Sequence, residues 1–166
     1  MTTRARILDA ARDLIATTGR LPSLDAIAAA AGVSKGGLMH HVPNRAALVT
    51  ALIEAAIDET DTAMSAAAER GEVVDTWVRL SSETRVGETA IADLARVALD
   101  ARDDLGPALP LIAAAAQRWE ELLAAELGSV ALARVVRLVG DGLLMSALLG
   151  EEPPVDVRTI RSALGL

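Results

Sequence analysis

Apolar residues recur along almost the whole chain at intervals of three and four, and no useful length alternates with period two. This spacing predicts helices and no sheet. The first helix begins near Thr3, carries Ile7, Leu8, Ala11, Leu14 and Ile15 on one face, and stops at Gly19, a residue able to take the left-handed conformation that ends helices. Ser23 caps a second helix over Leu24–Ala31, Gly32-Val33 makes a tight turn, and Ser34 caps a short third helix closed by Pro43. Asn44 then caps a long fourth helix, Arg45 to Glu69, ended by Arg70-Gly71. Beyond it the pattern predicts helices near 73–85, 88–102, 108–127, 129–149 and 156–164. Their breaks fall at Gly87, Gly106-Pro107, Gly128, and Gly150 with Pro153-Pro154. The fold class is all-α, with about nine helices. A three-helix head over 1–50 precedes a helical-bundle body over 51–166, and their boundary lies inside the fourth helix rather than in a flexible linker.

The stretch from Ser23 to Val42 has the dimensions of a helix-turn-helix. Ala28 and Ala29 are small enough for two helices to cross closely, Gly32 permits the sharp turn, and Val33 plugs the angle between them. Ile27 and Leu38 face the first helix. The start of the third helix is thereby free to enter a major groove, and helix N-termini at Ser23 and Asn44 favour phosphate on either side.

Charge sharpens this reading. The net charge is −7, yet residues 1–50 hold six basic residues (Arg4, Arg6, Arg12, Arg20, Lys35, Arg45) against three acids, a balance of +3 that leaves −10 for the remainder. A basic head on an acidic body suits a polyanion that meets one end only.

Here the residues resemble a known family. Ile7-Leu8-Asp9-Ala10-Ala11, Leu14, Gly19, Ile27-Ala28, Ala31-Gly32-Val33-Ser34-Lys35-Gly36, Leu38, His41, Pro43, Asn44 and Leu48 are similar to the DNA-binding head of the TetR (tetracycline-repressor-like) family. The body run Asp141-Gly142-Leu143, Leu148-Leu149-Gly150 and Pro153-Pro154 resembles the penultimate helix and turn of its shorter members. The resemblance implies a homodimeric regulator, expected to be a repressor, that binds double-stranded operator DNA and is released by a small-molecule effector. It places Ser23, Ser34, Met39, His41, Asn44 and Arg45 near phosphates, with Lys35, Gly36, Gly37 and His40 at the helix end that faces bases.

The sequence departs from the family pattern at several of these positions. Met39 stands where a tyrosine is usual, Val42 where a phenylalanine is usual, and Arg45 where a lysine is usual. Arg45 keeps its charge and can offer phosphate two hydrogen bonds. Gly36-Gly37 costs a short helix about 1–2 kcal/mol relative to alanines and offers no side chain to read a base. These departures support a second reading, a dimeric helical small-molecule binder whose DNA head has weakened.

The helix near 129–149 leaves very little polar face, so it needs cover on both sides. The simplest cover is the same helix of a second copy, with Gly142 and Ser146 allowing close approach and the helix near 111–127 completing a four-helix bundle. The expected dimer surface is Trp119, Leu122, Leu123, Val135, Leu138, Val139, Gly142, Met145, Ser146 and Leu149. Met64, Trp77, Trp119 and Met145 are candidates to line a ligand cavity, and plain core packing accounts for them equally well. Phe and Tyr are absent, so any such cavity is largely aliphatic and suits an apolar or cationic ligand.

Composition excludes much else. Without cysteine there is no disulfide, thiolate metal site or cysteine nucleophile. His40 and His41 are adjacent, so on a helix they diverge by about 100° and do not readily share an ion. Paired acids such as Glu120-Glu121 and Asp103-Asp104 are consecutive and diverge likewise. No catalytic order, phosphate-cradling loop or metal spacing occurs, so neither an enzyme nor a cofactor is expected. No run reaches the roughly 18 apolar residues of a membrane span, and a soluble cytoplasmic protein is the plain expectation.

Overall fold

The structure, a computed structural model, describes residues 2–82, 90–149, 151 and 157–165. All its regular elements among these residues are helical: α1 (Thr3–Thr18), α2 (Leu24–Ala31), α3 (Lys35–His41), α4 (Arg45–Ala68), α5 (Val73–Ser82), α6 (Ala90–Asp100), α7 (Leu109–Leu127), α8 (Val130–Leu148) and α9 (Val157–Leu164). Two 3₁₀ turns, Arg102–Asp104 and Gly106–Ala108, join α6 to α7. The helices expected near 73–85, 88–102 and 156–164 correspond to α5, α6 and α9. Their expected ends at 83–89, the breaks at Gly87 and Gly150, and Pro153-Pro154 lie outside the described residues.

Local chemistry explains the head. The side chains of Thr2, Ser23, Ser34 and Asn44 each accept a backbone N–H one turn ahead, at 3.2, 3.2, 3.1 and 2.8 Å. Gly19 and Gly32 end α1 and α2 with φ of 68° and 63°, backbone that any side chain would strain. Helices α1, α2 and α3 close around Ile7, Leu8, Ala11, Ile15, Ile27 and Leu38, all buried. Val42 joins them with no exposed surface, where the smaller side chain still seals the head's core. One expectation is corrected: Ala28 is buried in the helix crossing, but Ala29 points to solvent.

Helix α4 runs 24 residues without a break, about 36 Å at 1.5 Å per residue. Its first turns are buried against the head (Leu48, Val49, Leu52) and its later turns against the body (Ile57, Thr60, Met64, Ala67). Around it the body packs α5, α6 and α7, with α8 lying on α7 and α5 and α9 on α5. A single cluster of buried apolar side chains extends from Ile7 in the head to Val136 in α8.

Within the body α5 and α8 approach closely at Gly140. A Cβ built on Gly140 would lie 2.2 Å from the Trp77 indole nitrogen and 2.8 Å from Ser81 Oγ. The missing side chain is what lets Trp77 Nε1–H donate to the Val136 carbonyl at 3.2 Å. Opposite, Glu126 of α7 accepts the Val73 N–H at 2.5 Å, capping α5, and Arg161 of α9 ties onto Asp75 at 2.7 Å.

Candidate nucleic-acid interface

The head carries capped helix starts at Ser23, Ser34 and Asn44. Its centre is α3, whose apolar side is held by Leu38 while Lys35, Gly36, Met39, His40 and His41 are exposed and Gly37 is half-buried. Ser34 both caps this helix and stands exposed at its start. Asn44 does the same for α4, and Ser23 for α2. The DNA-facing residues expected from the sequence thus fall on one head in three neighbouring elements. The His40 and His41 rings meet edge to face with centroids 5.1 Å apart. Among the described residues no group of three or more His, Asp and Glu is placed to hold a metal ion.

One structural residue escaped the sequence reading. Arg6 reaches from α1 to the turn of the helix-turn-helix, donating from Nη2 to the Ala31 carbonyl at 2.5 Å and to the Gly32 carbonyl at 3.4 Å. These carbonyls at the end of α2 have no partners further along the helix, and a cation there also meets the negative end of the helix dipole. A charged position on the first helix, one turn before the core residue Ala10, was the available signal.

The electrostatic picture is the larger correction. Five of the head's six cations are held, Arg6 by carbonyls and four others by carboxylates. Arg4 pairs with Glu54 at 3.0 Å, Arg12 with Glu59 at 2.6 Å, and Arg45 with Asp104 at 3.0 Å. All three carboxylates lie beyond residue 50. Lys35 pairs with Asp25 across the helix-turn-helix at 2.9 Å, both side chains well exposed. The +3 balance of residues 1–50 therefore overstates the positive field, because acids on α4 and in the α6–α7 connection lie against it.

The body surfaces sort the remaining expectations. On α8 and the turn just past it, Val135, Leu138, Gly142, Met145 and Leu149 face outward, with Val135, Leu138, Met145 and Leu149 between 44 and 72% exposed. Their spacing of three and four makes a continuous stripe. Ala133, Val136, Gly140 and Leu143 make the opposing stripe, buried on the body's own core. Leu122, Val139 and Ser146 are half-buried beside the outer stripe. Trp119 and Leu123, expected in the dimer surface, are instead core residues at 4 and 0% exposure. Trp119 turns inward because Asp61 of α4 accepts its indole N–H at 2.6 Å and its ring lies 5.7 Å from that of Trp77.

Met145, also expected in a cavity, lies on the outer stripe, too far round α8 to line an interior space. Met64 and Trp77 are at most 1% exposed and belong to the body's apolar core. Beside the outer stripe, Glu120 bridges Arg134 at 2.7 Å and Arg137 at 3.0 Å, and Arg137 continues to Asp141 at 2.5 Å. The hydrogen bonds from Arg134 and Arg137 hold the Glu120 carboxyl below its usual range. Partial burial raises that of Asp141 against the pull of Arg137. Glu120, Arg134 and Arg137 line a cleft of about 480 Å³ with Ala116, Gln117 and Val130.

A capped helix-turn-helix at one end of an all-α body defines a class, the helix-turn-helix regulators. Residues 7–52 match the family model of bacterial regulatory proteins, tetR family. Three solved structures share the fold over nearly the whole chain. One is a TetR-family member from Streptomyces coelicolor A3, with TM-score 0.71 and 24% identity, covering 99% of this chain and 97% of its own. A second is the multidrug binding protein EbrR complexed with imidazole, at 0.68 and 25%, covering 99% and 94%. A third is NalD, the secondary repressor of the MexAB-OprM multidrug efflux pump in Pseudomonas aeruginosa, at 0.68 and 19%, covering 98% and 93%. No curated protein matches in sequence. Residues 7–52 are thus similar to the DNA-binding head of the tetR-family regulators, and the chain as a whole shares the fold of these three structures. Among the described residues no helix is long and apolar enough to cross a membrane.

Proposed function

We propose that this chain is a homodimeric repressor. It inserts α3 into successive major grooves of a palindromic operator and is released by a small apolar or cationic effector. The observation that carries the reading is the exposed start of α3, capped by Ser34 and held on Leu38, inside a head that matches the family from 7 to 52. On this reading Ser23, Ser34, Met39, His41, Asn44 and Arg45 contact backbone, and Lys35 and His40 reach base edges over Gly36 and Gly37. The outer stripe of α8, Val135 to Leu149, buries against its two-fold copy, Gly142 and Ser146 lie at the crossing, and Leu122 and Val139 flank it. This spacing is that of a helix-helix seam, and the two heads read half-sites about 34–36 Å apart, one turn of DNA.

The effector and the sign of regulation rest on analogy with a repressor and a multidrug binding protein of the same fold. They also rest on an aliphatic body that offers few polar groups.

The test is selection of a binding duplex from a random-sequence pool, followed by fluorescence polarisation with the wild type and the Lys35→Ala, Arg45→Ala double variant. Saturable binding that resists a scrambled competitor, falls steeply with salt and is lost in the variant supports the proposal. Binding no tighter than to the scrambled duplex refutes it and favours the helical small-molecule binder with a weakened head.

A further inference from the structure

The end of α6 and the turn that follows touch the head at two points. Asp100 Oδ2 accepts the backbone N–H of Leu21 at 2.7 Å, across 79 positions of sequence. Asp104 Oδ2 accepts from Arg45 Nε at 3.0 Å, and an Arg45 terminal nitrogen stands 4.0 Å from Asp100. Leu21 precedes the cap of α2, and Arg45 is the first residue of α4. Two carboxylates from one short segment therefore hold the entrance to the helix-turn-helix and the cation beside it.

The position matters because of what else favours an anion there. Asn44 accepts the Ala47 N–H, the start of a helix favours negative charge, and the Arg45 guanidinium stands beside it. In the structure, the oxygen that Arg45 grips is a carboxylate of its own chain.

We propose that Asp104, positioned by the Asp100–Leu21 hydrogen bond, is an internal phosphate mimic. It occupies Arg45 in the unbound protein, and DNA must displace it. The inference rests on the reading of the head as a DNA-binding surface and deepens it. The pairs at Arg4 and Arg12 differ in kind. They join α1 to the middle of α4, so both partners belong to the same packed unit, whereas the Arg45 pair joins the head to the α6–α7 connection. Any movement of that connection changes how readily Arg45 is released.

The exchange costs affinity twice. Arg45 gives up one carboxylate to gain one phosphate, and the released carboxylate then faces the DNA backbone. An exposed ion pair of this geometry corresponds to about threefold in binding per head, and to about tenfold when two heads bind together. The effect fades with salt, since exposed charges are screened over about 8–10 Å.

Because the competition is with phosphate, no operator is needed to see it. The probe is a fluorescent random-sequence duplex at low ionic strength. The proteins are the wild type, Asp104→Asn, Arg45→Ala, the double variant, and Glu69→Gln as a control that removes one charge at the far end of α4. Circular dichroism verifies that each is folded. We expect Asp104→Asn to bind about threefold to tenfold more tightly and with a steeper salt dependence. The gain should vanish in the Arg45→Ala background and exceed that of Glu69→Gln. A wild type that fails to bind while Asp104→Asn binds also supports the proposal. Wild-type binding that Asp104→Asn leaves unchanged or weakens overturns the mimic and leaves the DNA-binding reading intact, as does a gain that persists without Arg45. No binding by any of the proteins overturns both.

Discussion

Replacing Gly140 by alanine tests the close approach of α5 to α8. The added methyl would sit 2.2 Å from Trp77 Nε1 and 2.7 Å from its Cε2, so one of the two helices must retreat by more than an ångström. Trp77 has no room to give: it is 1% exposed and is tied by its indole N–H to the Val136 carbonyl, one turn before Gly140. Overpacking of this sort costs about 1–3 kcal/mol, and an indole N–H left without its acceptor costs about 1–3 more. Alanine returns about 1 kcal/mol through its better helix propensity. At the middle of these ranges the net expectation is a loss of about 3 kcal/mol, or about 6–12 °C in melting temperature for a chain of this length. Urea unfolding followed by far-ultraviolet circular dichroism and tryptophan fluorescence reads it, at one fixed protein concentration because association contributes to apparent stability. The midpoint should fall with an unchanged slope, and fluorescence should shift even in the folded baseline. Gly36→Ala is the contrast, since nothing lies within 4 Å of its added methyl. If Gly140→Ala raised the midpoint as Gly36→Ala should, the close approach of α5 to α8 would be wrong.

Other outcomes follow from the same coordinates. Val135→Glu with Leu138→Glu places two charges on the outer stripe of α8 and should convert a dimer to a monomer in analytical ultracentrifugation, with helicity kept; an unchanged mass removes this stripe from the interface. Gly142→Ala, which meets nothing within its own chain, should weaken the dimer while leaving the protomer's helix no less stable; equal or tighter association argues against a close crossing there. Ser34→Ala deprives the Gly37 N–H of its acceptor and should cost about 1 kcal/mol, with a larger proportional loss in DNA binding than in melting temperature, because α3 is the element loosened. The folded-state pKa of Glu120 is depressed, so its stabilising contribution is present above its ordinary value of 4.5 and is lost as pH falls through the lowered one. Glu120→Gln should therefore flatten part of the acid limb of the stability profile, and an unchanged limb would show that the Arg134 and Arg137 pairs contribute nothing there.

The head was readable because its determinants are local. Caps at Ser23, Ser34 and Asn44 act one turn ahead, and Gly19 and Gly32 act on their own backbone, so three or four residues of context define each. The inner and outer stripes of α8 were visible only as one helix apolar nearly all round, because periodicity does not say which side meets its own chain. Trp119 and Leu123 went to the wrong side for that reason. The partner that turns Trp119 inward, Asp61, lies 58 positions away. The charge map failed in the same way. Counting Arg45 as free was reasonable from residues 1–50, and its carboxylate partner is 59 positions further on. Arg6 was passed over because the carbonyls it binds belong to backbone and leave no mark in the sequence.

The unbroken α4 and the apolar cluster that runs from Ile7 to Val136 have a consequence for how the chain comes apart. Leu48, Val49 and Leu52 are shared between the head and the helix that continues into the body, so cutting near residue 50 removes one wall of each core. The DNA-binding end is then not a module that can be lifted onto another body: an isolated 1–50 fragment would leave its own interior open to water. Unfolding should proceed as one event, and amides of α1 and of α4's later turns should exchange with solvent through the same opening. In such a chain, evolution can alter what the head touches or what the body holds, but each change is weighed against the stability of both.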